Sequence, residues 1–183
     1  MKLDSQHPSI DQGHRGTRAA QALGLGLGLL VASTVAVSGA QRTVSVVETV
    51  QLATTPSKTW AAINDFTAWQ AWHPAFATTD VVRGDGHTQG SVRVLITKDG
   101  GKFTEELVSY NAASRSYQYR IIDSPAPVAD YVSTIEVKAS NAGSIVVWSS
   151  NFNVKVGTSE ADAKKLISGV YRAGLDNLAS VVK

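Results

Sequence analysis

Three side chains in this chain of 183 residues could hold or move charge in apolar surroundings: His73, Arg93 and Glu105. Arg93 alternates with Ser91 and Leu95, and Glu105 alternates with Phe103 and Leu107. Residues two apart share one face of a strand, so each charge points the same way as apolar neighbours. The turn signal Lys98-Asp99-Gly100-Gly101 lies between the two segments and makes them adjacent strands of a hairpin. Neither charge tolerates an apolar interior alone, so a buried Arg93 and a buried Glu105 would pair. Such a pair could orient a ligand's carboxylate, carbonyl or hydroxyl. It could equally be a fold-specifying ion pair, or two solvated side chains on an outer face. Glu105 in a desolvated site would have a raised pKa and could act in acid–base catalysis. His73 titrates near neutrality and could shuttle protons at a cavity mouth; beside Pro74 it could as well cap a helix end or bond a carbonyl. Glu105 and His73 are the catalytic candidates, and neither belongs to a catalytic motif.

Other reactive chemistry is missing. Cysteine is absent, which removes thiol catalysis and thiolate-bound metals. His7 and His14 lie near the N-terminus, and His73 and His87 have no histidine or cysteine partner at ligand spacing. No metal and no other cofactor is therefore expected. No Gly-x-Ser-x-Gly elbow occurs. Gly84-Asp85-Gly86 and Asp99-Gly100-Gly101 precede strand-like segments and not helices, so they read as turns and not as phosphate cradles.

Aromatics crowd one corner of the sequence. Phe66-Thr67-Ala68-Trp69-Gln70-Ala71-Trp72-His73-Pro74 sets three of them and a histidine against a helix-ending proline. Trp60, Trp69, Trp72, Tyr119, Tyr131, Trp148 and Phe152 are core or cavity wall, and pattern alone does not divide them. A domain that concentrates its bulkiest side chains here is expected to shape a cavity mouth.

The elements that must position these residues follow from local signals. Val44 to Ala53 alternates as a strand. Thr54-Thr55-Pro56-Ser57 starts a helix, with proline in its first turn and Trp60, Ile63 and Phe66 on one side. Ala68 to Trp72 adds a second short helix. Strands are predicted over 80–83, 91–97, 102–110, 117–122, 130–139 and 144–156, with Ser124-Pro125-Ala126-Pro127 kept out of the sheet by its prolines. Ser159 caps a long C-terminal helix with Leu166, Ile167, Val170, Leu175, Leu178 and Val182 along its apolar side. Gly169 and Gly174 interrupt that helix and suggest a close approach or a bend. The order predicts an α+β fold: a curved antiparallel sheet of about seven strands around a long C-terminal helix, with two short helices after the first strand.

Residues 1–40 differ from the rest. Lys2, Arg15 and Arg18 precede an apolar Gly/Leu/Ala-rich stretch and then Ser38-Gly39-Ala40, the pattern of a signal peptide cleaved before Gln41. The alternative is an uncleaved N-terminal anchor; Ala22 to Val37 is shorter than the roughly 20 residues that span a bilayer. Either reading implies a periplasmic or secreted domain at 41–183, with membrane contact only through an uncleaved leader. Of the 17 basic and 15 acidic residues, 14 and 13 fall within 41–183. With so small an imbalance and no basic stripe, nucleic acid is not an expected partner.

Order and residues together resemble the SRPBCC, or START-like helix-grip, superfamily. Within it the chain is similar to the polyketide cyclase/dehydrase and lipid transport group, and to its exported MxaD-like branch. The carrying residues are Trp60, Phe66, Trp72-His73-Pro74, Gly90-Ser91-Val92-Arg93, Asp99-Gly100-Gly101, Glu105, Leu107, Tyr117, Tyr119, Ser124-Pro125-Ala126-Pro127, Tyr131, Trp148, Phe152 and Tyr171-Arg172-Ala173-Gly174-Leu175. They span nearly all of residues 43–180.

The resemblance implies a hydrophobic ligand cavity between sheet and C-terminal helix, with the loops at Lys98–Gly101 and Ser124–Val128 in gate and latch positions. A small hydrophobic or amphipathic molecule is then the expected partner, and Trp60, Trp72, His73, Arg93, Glu105, Tyr119, Tyr131, Trp148 and Phe152 the expected ligand-binding residues. Two other functions follow from the same resemblance. One is a cyclase or dehydratase of a polyketide-like substrate, with Glu105, His73 or a tyrosine moving protons. The other is an MxaD-like accessory to a periplasmic alcohol dehydrogenase, whose partner would be that oxidoreductase.

Overall fold

The computed structural model describes residues 43–182, so the N-terminal segment read as a signal or anchor lies outside the described residues. Strand β1 (Val44–Leu52) is followed by α1 (Pro56–Ile63) and a single 3-10 turn at Trp69–Ala71. Strands β2 (Phe76–Arg83), β3 (Val92–Thr97), β4 (Lys102–Asn111), β5 (Ser116–Asp123), β6 (Val128–Ser140) and β7 (Gly143–Val154) come next, and then helix α2 (Glu160–Val181). The strands form one antiparallel sheet in the order β1-β7-β6-β5-β4-β3-β2. This is the predicted α+β helix-grip arrangement.

Local chemistry accounts for the boundaries. The Thr55 side chain accepts the Lys58 N–H, and Pro56 takes the first helical position, where a missing N–H costs nothing. Ser159 accepts the Asp162 N–H to open α2. In the β3–β4 turn the Thr97 N–H donates to the Gly101 carbonyl at 2.8 Å, and Gly100 has φ +91°, a conformation that favours glycine. Register shifts in β2, β4 and β6 bend the strands and give the sheet its curvature.

Two elements differ from the sequence reading. The strand predicted over 80–83 begins at Phe76; β2 is an edge strand of which Phe76 alone is buried, so alternation could not reveal its first half. The second helix shrinks to one 3-10 turn, held by Ala71 and Trp72 N–H groups bonded three residues back to Ala68 and Trp69.

The core is mostly aromatic. All four tryptophans are buried, and Trp69 lies at their centre, with ring centroids 5.2–5.7 Å from Trp72, Phe76, Tyr119 and Trp148. Such ring pairs contribute about 0.5–1.5 kcal/mol each beyond the area they bury. Helix α2 turns Ala163, Ile167, Tyr171, Gly174, Leu175 and Leu178 inward. Leu166, predicted on the same apolar side, emerges instead at 46 % exposure.

Candidate functional site

Antiparallel pairing of β3 and β4 sets Arg93 directly opposite Glu105. Nε and Nη2 of Arg93 both donate to Glu105 Oε2, at 2.9 and 2.6 Å, and Nη1 donates to the Phe66 carbonyl. The guanidinium lies between two rings, with Cζ 3.8 Å from the centroids of both Phe66 and Trp69. Arg93 is 0 % exposed and Glu105 4 %. The pair is buried, so of the readings the sequence allowed, only that of two solvated side chains on an outer face is excluded. Burial pushes the Glu105 carboxyl above its ordinary range, against the opposing pull of Arg93.

His73 is a structural clamp. Its Nε2 lies 3.0 Å from the Val170 carbonyl, which can only accept, so Nε2 carries the proton. Nδ1 then accepts the Ala75 N–H at 3.2 Å. Burial lowers its pKa to about 4; the Val170 bond opposes this and the Arg93 charge adds to it. A neutral, doubly bonded imidazole holds the 3-10 corner against α2 and has no free nitrogen for proton shuttling.

A hydroxyl network lies beyond Glu105. Ser133 Oγ donates to the Ser149 carbonyl at 2.8 Å, and Trp148 Nε1 donates to Ser133 Oγ at 3.0 Å and to the Tyr119 hydroxyl at 3.1 Å. The Tyr171 hydroxyl is 3.1 Å from Ser133 Oγ and bonded to the Tyr131 hydroxyl. Burial raises the pKa of Tyr119, Tyr131 and Tyr171 well above the ordinary value, so all three remain neutral.

The open space lies at one end of the sheet. An outer pocket of about 480 Å³ is bounded by the β3–β4 turn, the Pro125–Pro127 loop between β5 and β6, and Leu166 and Val170 of α2. Ala75, Thr97, Phe103, Ala126, Leu166 and Val170 also border an inner chamber of about 80 Å³. Glu105, Tyr119, Tyr131 and Tyr171 line that chamber together with Trp69, Phe76, Ile121 and Ile167. The arrangement can accept an apolar body outside and a small polar end inside.

Of the nine residues proposed to bind ligand, Glu105, Tyr119 and Tyr131 line this chamber. Trp60, Trp72, His73, Arg93, Trp148 and Phe152 are buried in the packed interior and border neither space. The expected hollow is therefore displaced toward the loops, because the tryptophans and tyrosines fill the rest. Ala75, Phe103, Leu166, Val170 and Tyr171 were not singled out as site residues. Phe103 carried a signal, since alternation puts it on the face of Glu105, and so did Leu166, since both it and Ile167 cannot face inward on one helix.

No curated protein matches the chain. Residues 43–183 match the family described as polyketide cyclase / dehydrase and lipid transport. Among solved structures, the chain is similar to the protein XoxI from Bacillus cereus, with 29% identity, a TM-score of 0.70, and coverage of 76% of this chain and 95% of that one. It is also similar to a putative uncharacterized protein from Bacillus thuringiensis, with 28% identity, a TM-score of 0.69, and coverage of 75% and 98%. Ara h 8.0201, at 15% identity and a TM-score of 0.64 over 77% of this chain and 98% of that one, shares the fold. With the family match spanning every described residue, the chain belongs to the polyketide cyclase/dehydrase and lipid transport family.

Proposed function

We propose that this protein binds a small hydrophobic or amphipathic molecule, seated in the outer pocket with one end in the inner chamber. The observation that carries this reading is the wall the two spaces share: Ala75, Thr97, Phe103, Ala126, Leu166 and Val170 border both the outer pocket of about 480 Å³ and the chamber of about 80 Å³, where Glu105 and three tyrosines supply polar groups. Pockets for small molecules combine apolar walls with few convergent polar groups in this way. The basic-then-apolar character of residues 1–40 supports an exported, periplasmic or secreted site of action. The finer placement in an MxaD-like branch rests on the motifs that carry the resemblance, whereas the role of accessory to a periplasmic oxidoreductase is carried by no motif of this chain.

The test is uptake of an apolar reporter, N-phenyl-1-naphthylamine, by the full chain and by a Val170→Trp variant. Val170 is half-buried at the rim and packs partly against the core, so an indole there is expected to close the mouth, with the melting temperature as the check on the core. Uptake by the original protein and its loss in the variant, at unchanged melting temperature, is the expected result. Equal uptake by both would remove the pocket as the binding site.

A further inference from the structure

The groups around the inner chamber offer an acceptor and withhold a cation. Arg93 has Nε and Nη2 on Glu105 and Nη1 on Phe66, its two faces lie against the Phe66 and Trp69 rings, and it does not line the chamber. Glu105 takes both Arg93 bonds on Oε2. Its Oε1 has no partner among the described residues, yet it is not among their sealed, unpartnered atoms, and its residue borders the chamber. An almost wholly buried carboxylate therefore presents one oxygen to that space.

The hydroxyls reinforce this polarity. With the Ser133 proton committed to Ser149, the Tyr171 hydroxyl donates to Ser133, and Tyr131 in turn donates to Tyr171. Their protons run away from the chamber toward the backbone of β7. Tyr119 accepts from Trp148 and keeps its own proton for Tyr131 or for the chamber.

From this asymmetry, and resting on the reading that pocket and chamber hold one ligand, we infer that the ligand's inner end is the neutral hydroxyl of an apolar alcohol. Its O–H donates to Glu105 Oε1, and its oxygen accepts from Tyr119. A carboxylate would set a second anion beside Glu105 with Arg93 out of reach. An ammonium would add an unbalanced charge where Arg93 already balances Glu105, and burying it would cost more than burying a neutral donor. A chamber of about 80 Å³ admits a hydroxyl and its first carbons, and the apolar remainder leaves past Phe103, Leu166 and Val170.

The experiment is displacement of bound N-phenyl-1-naphthylamine from the full chain by 1-decanol, decanoate and decylamine at neutral pH, each below its micellar concentration. 1-Decanol is expected to displace the reporter at a concentration about tenfold or more below the other two, the range of one hydrogen bond to a charged acceptor. Glu105→Gln narrows that gap. Should that variant fail to fold, Tyr119→Phe, which leaves Trp148 bonded to Ser133, weakens 1-decanol alone. Decanoate or decylamine displacing equally or better overturns the inference while reporter uptake, and with it ligand binding, stands. Absence of reporter uptake removes both.

Discussion

The bare backbone of Gly174 is what admits the His73 imidazole to α2. A β-carbon there would lie 2.5 Å from His73 Cδ2, 2.9 Å from Nε2 and 3.0 Å from Trp148 Cζ3. The ring cannot retreat without breaking its bonds to Val170 and Ala75. Gly169, five residues earlier, faces open space.

The two glycines should therefore respond oppositely to alanine. Gly174→Ala gains about 1 kcal/mol of helix propensity but overpacks a fixed ring, which costs about 1–3 kcal/mol; net destabilisation is expected. Gly169→Ala takes the propensity gain alone and stabilises by about 0.5–1 kcal/mol. Urea midpoints of the two variants check the sign of each, and a stable Gly174→Ala protein would contradict the clamp.

His73 makes stability depend on pH. Its folded pKa of about 4 lies below the ordinary 6.5, so between those values the unfolded chain binds the additional proton. The contribution is complete above about pH 6.5 and is lost as pH falls toward 4, amounting to about 3 kcal/mol. Denaturation midpoints at pH 7.5, 6 and 5 should fall in that order, and the fall should be shallower in His73→Asn.

Breaking the Arg93–Glu105 pair on one side strands a charge among Phe66, Trp69 and Tyr119. Arg93→Met alone is expected to cost about 3–5 kcal/mol. The double variant Arg93→Met with Glu105→Leu leaves no charge behind and should recover most of that loss. A double-mutant cycle measured by chemical denaturation gives the coupling; additive losses would mean that the pair is not a unit.

Tyr117 serves Trp69 in a smaller way. Trp69 Nε1 donates to the Tyr117 hydroxyl at 3.0 Å, with both residues buried. Tyr117→Phe keeps the ring and orphans the indole N–H, at a cost of about 1–3 kcal/mol. A thermal melt of the variant unchanged from the original protein would show that another acceptor takes over.

The succession of elements along the chain, the turn at Lys98–Gly101 and the exclusion of Pro125 and Pro127 from the sheet were legible because they depend on local periodicity and turn chemistry. Which residues share a face was legible for the same reason, and the structure turns the faces of Arg93, Glu105, Tyr119 and Trp148 inward; for Arg93 and Glu105 alternation alone left the outer face open. Which inward residues border space was not. Tyr131 and Phe152 are both inward aromatics, yet Tyr131 lines the chamber and Phe152 does not. That division depends on how closely α2 approaches the sheet, and Gly174 against His73 sets the distance only once both are folded. The rim residues Ala75 and Val170 have no chemistry that would mark them before the loops and helix meet.

Val170 belongs to two structures at once. Its side chain borders the outer pocket, while its carbonyl receives the proton of a histidine seated in the aromatic core. Whatever settles against that side chain bears on the same joint that acid unfastens. If the pocket holds a ligand, linkage is reciprocal: a guest that steadies this turn of α2 would protect the fold from acid, and acidification would release the guest.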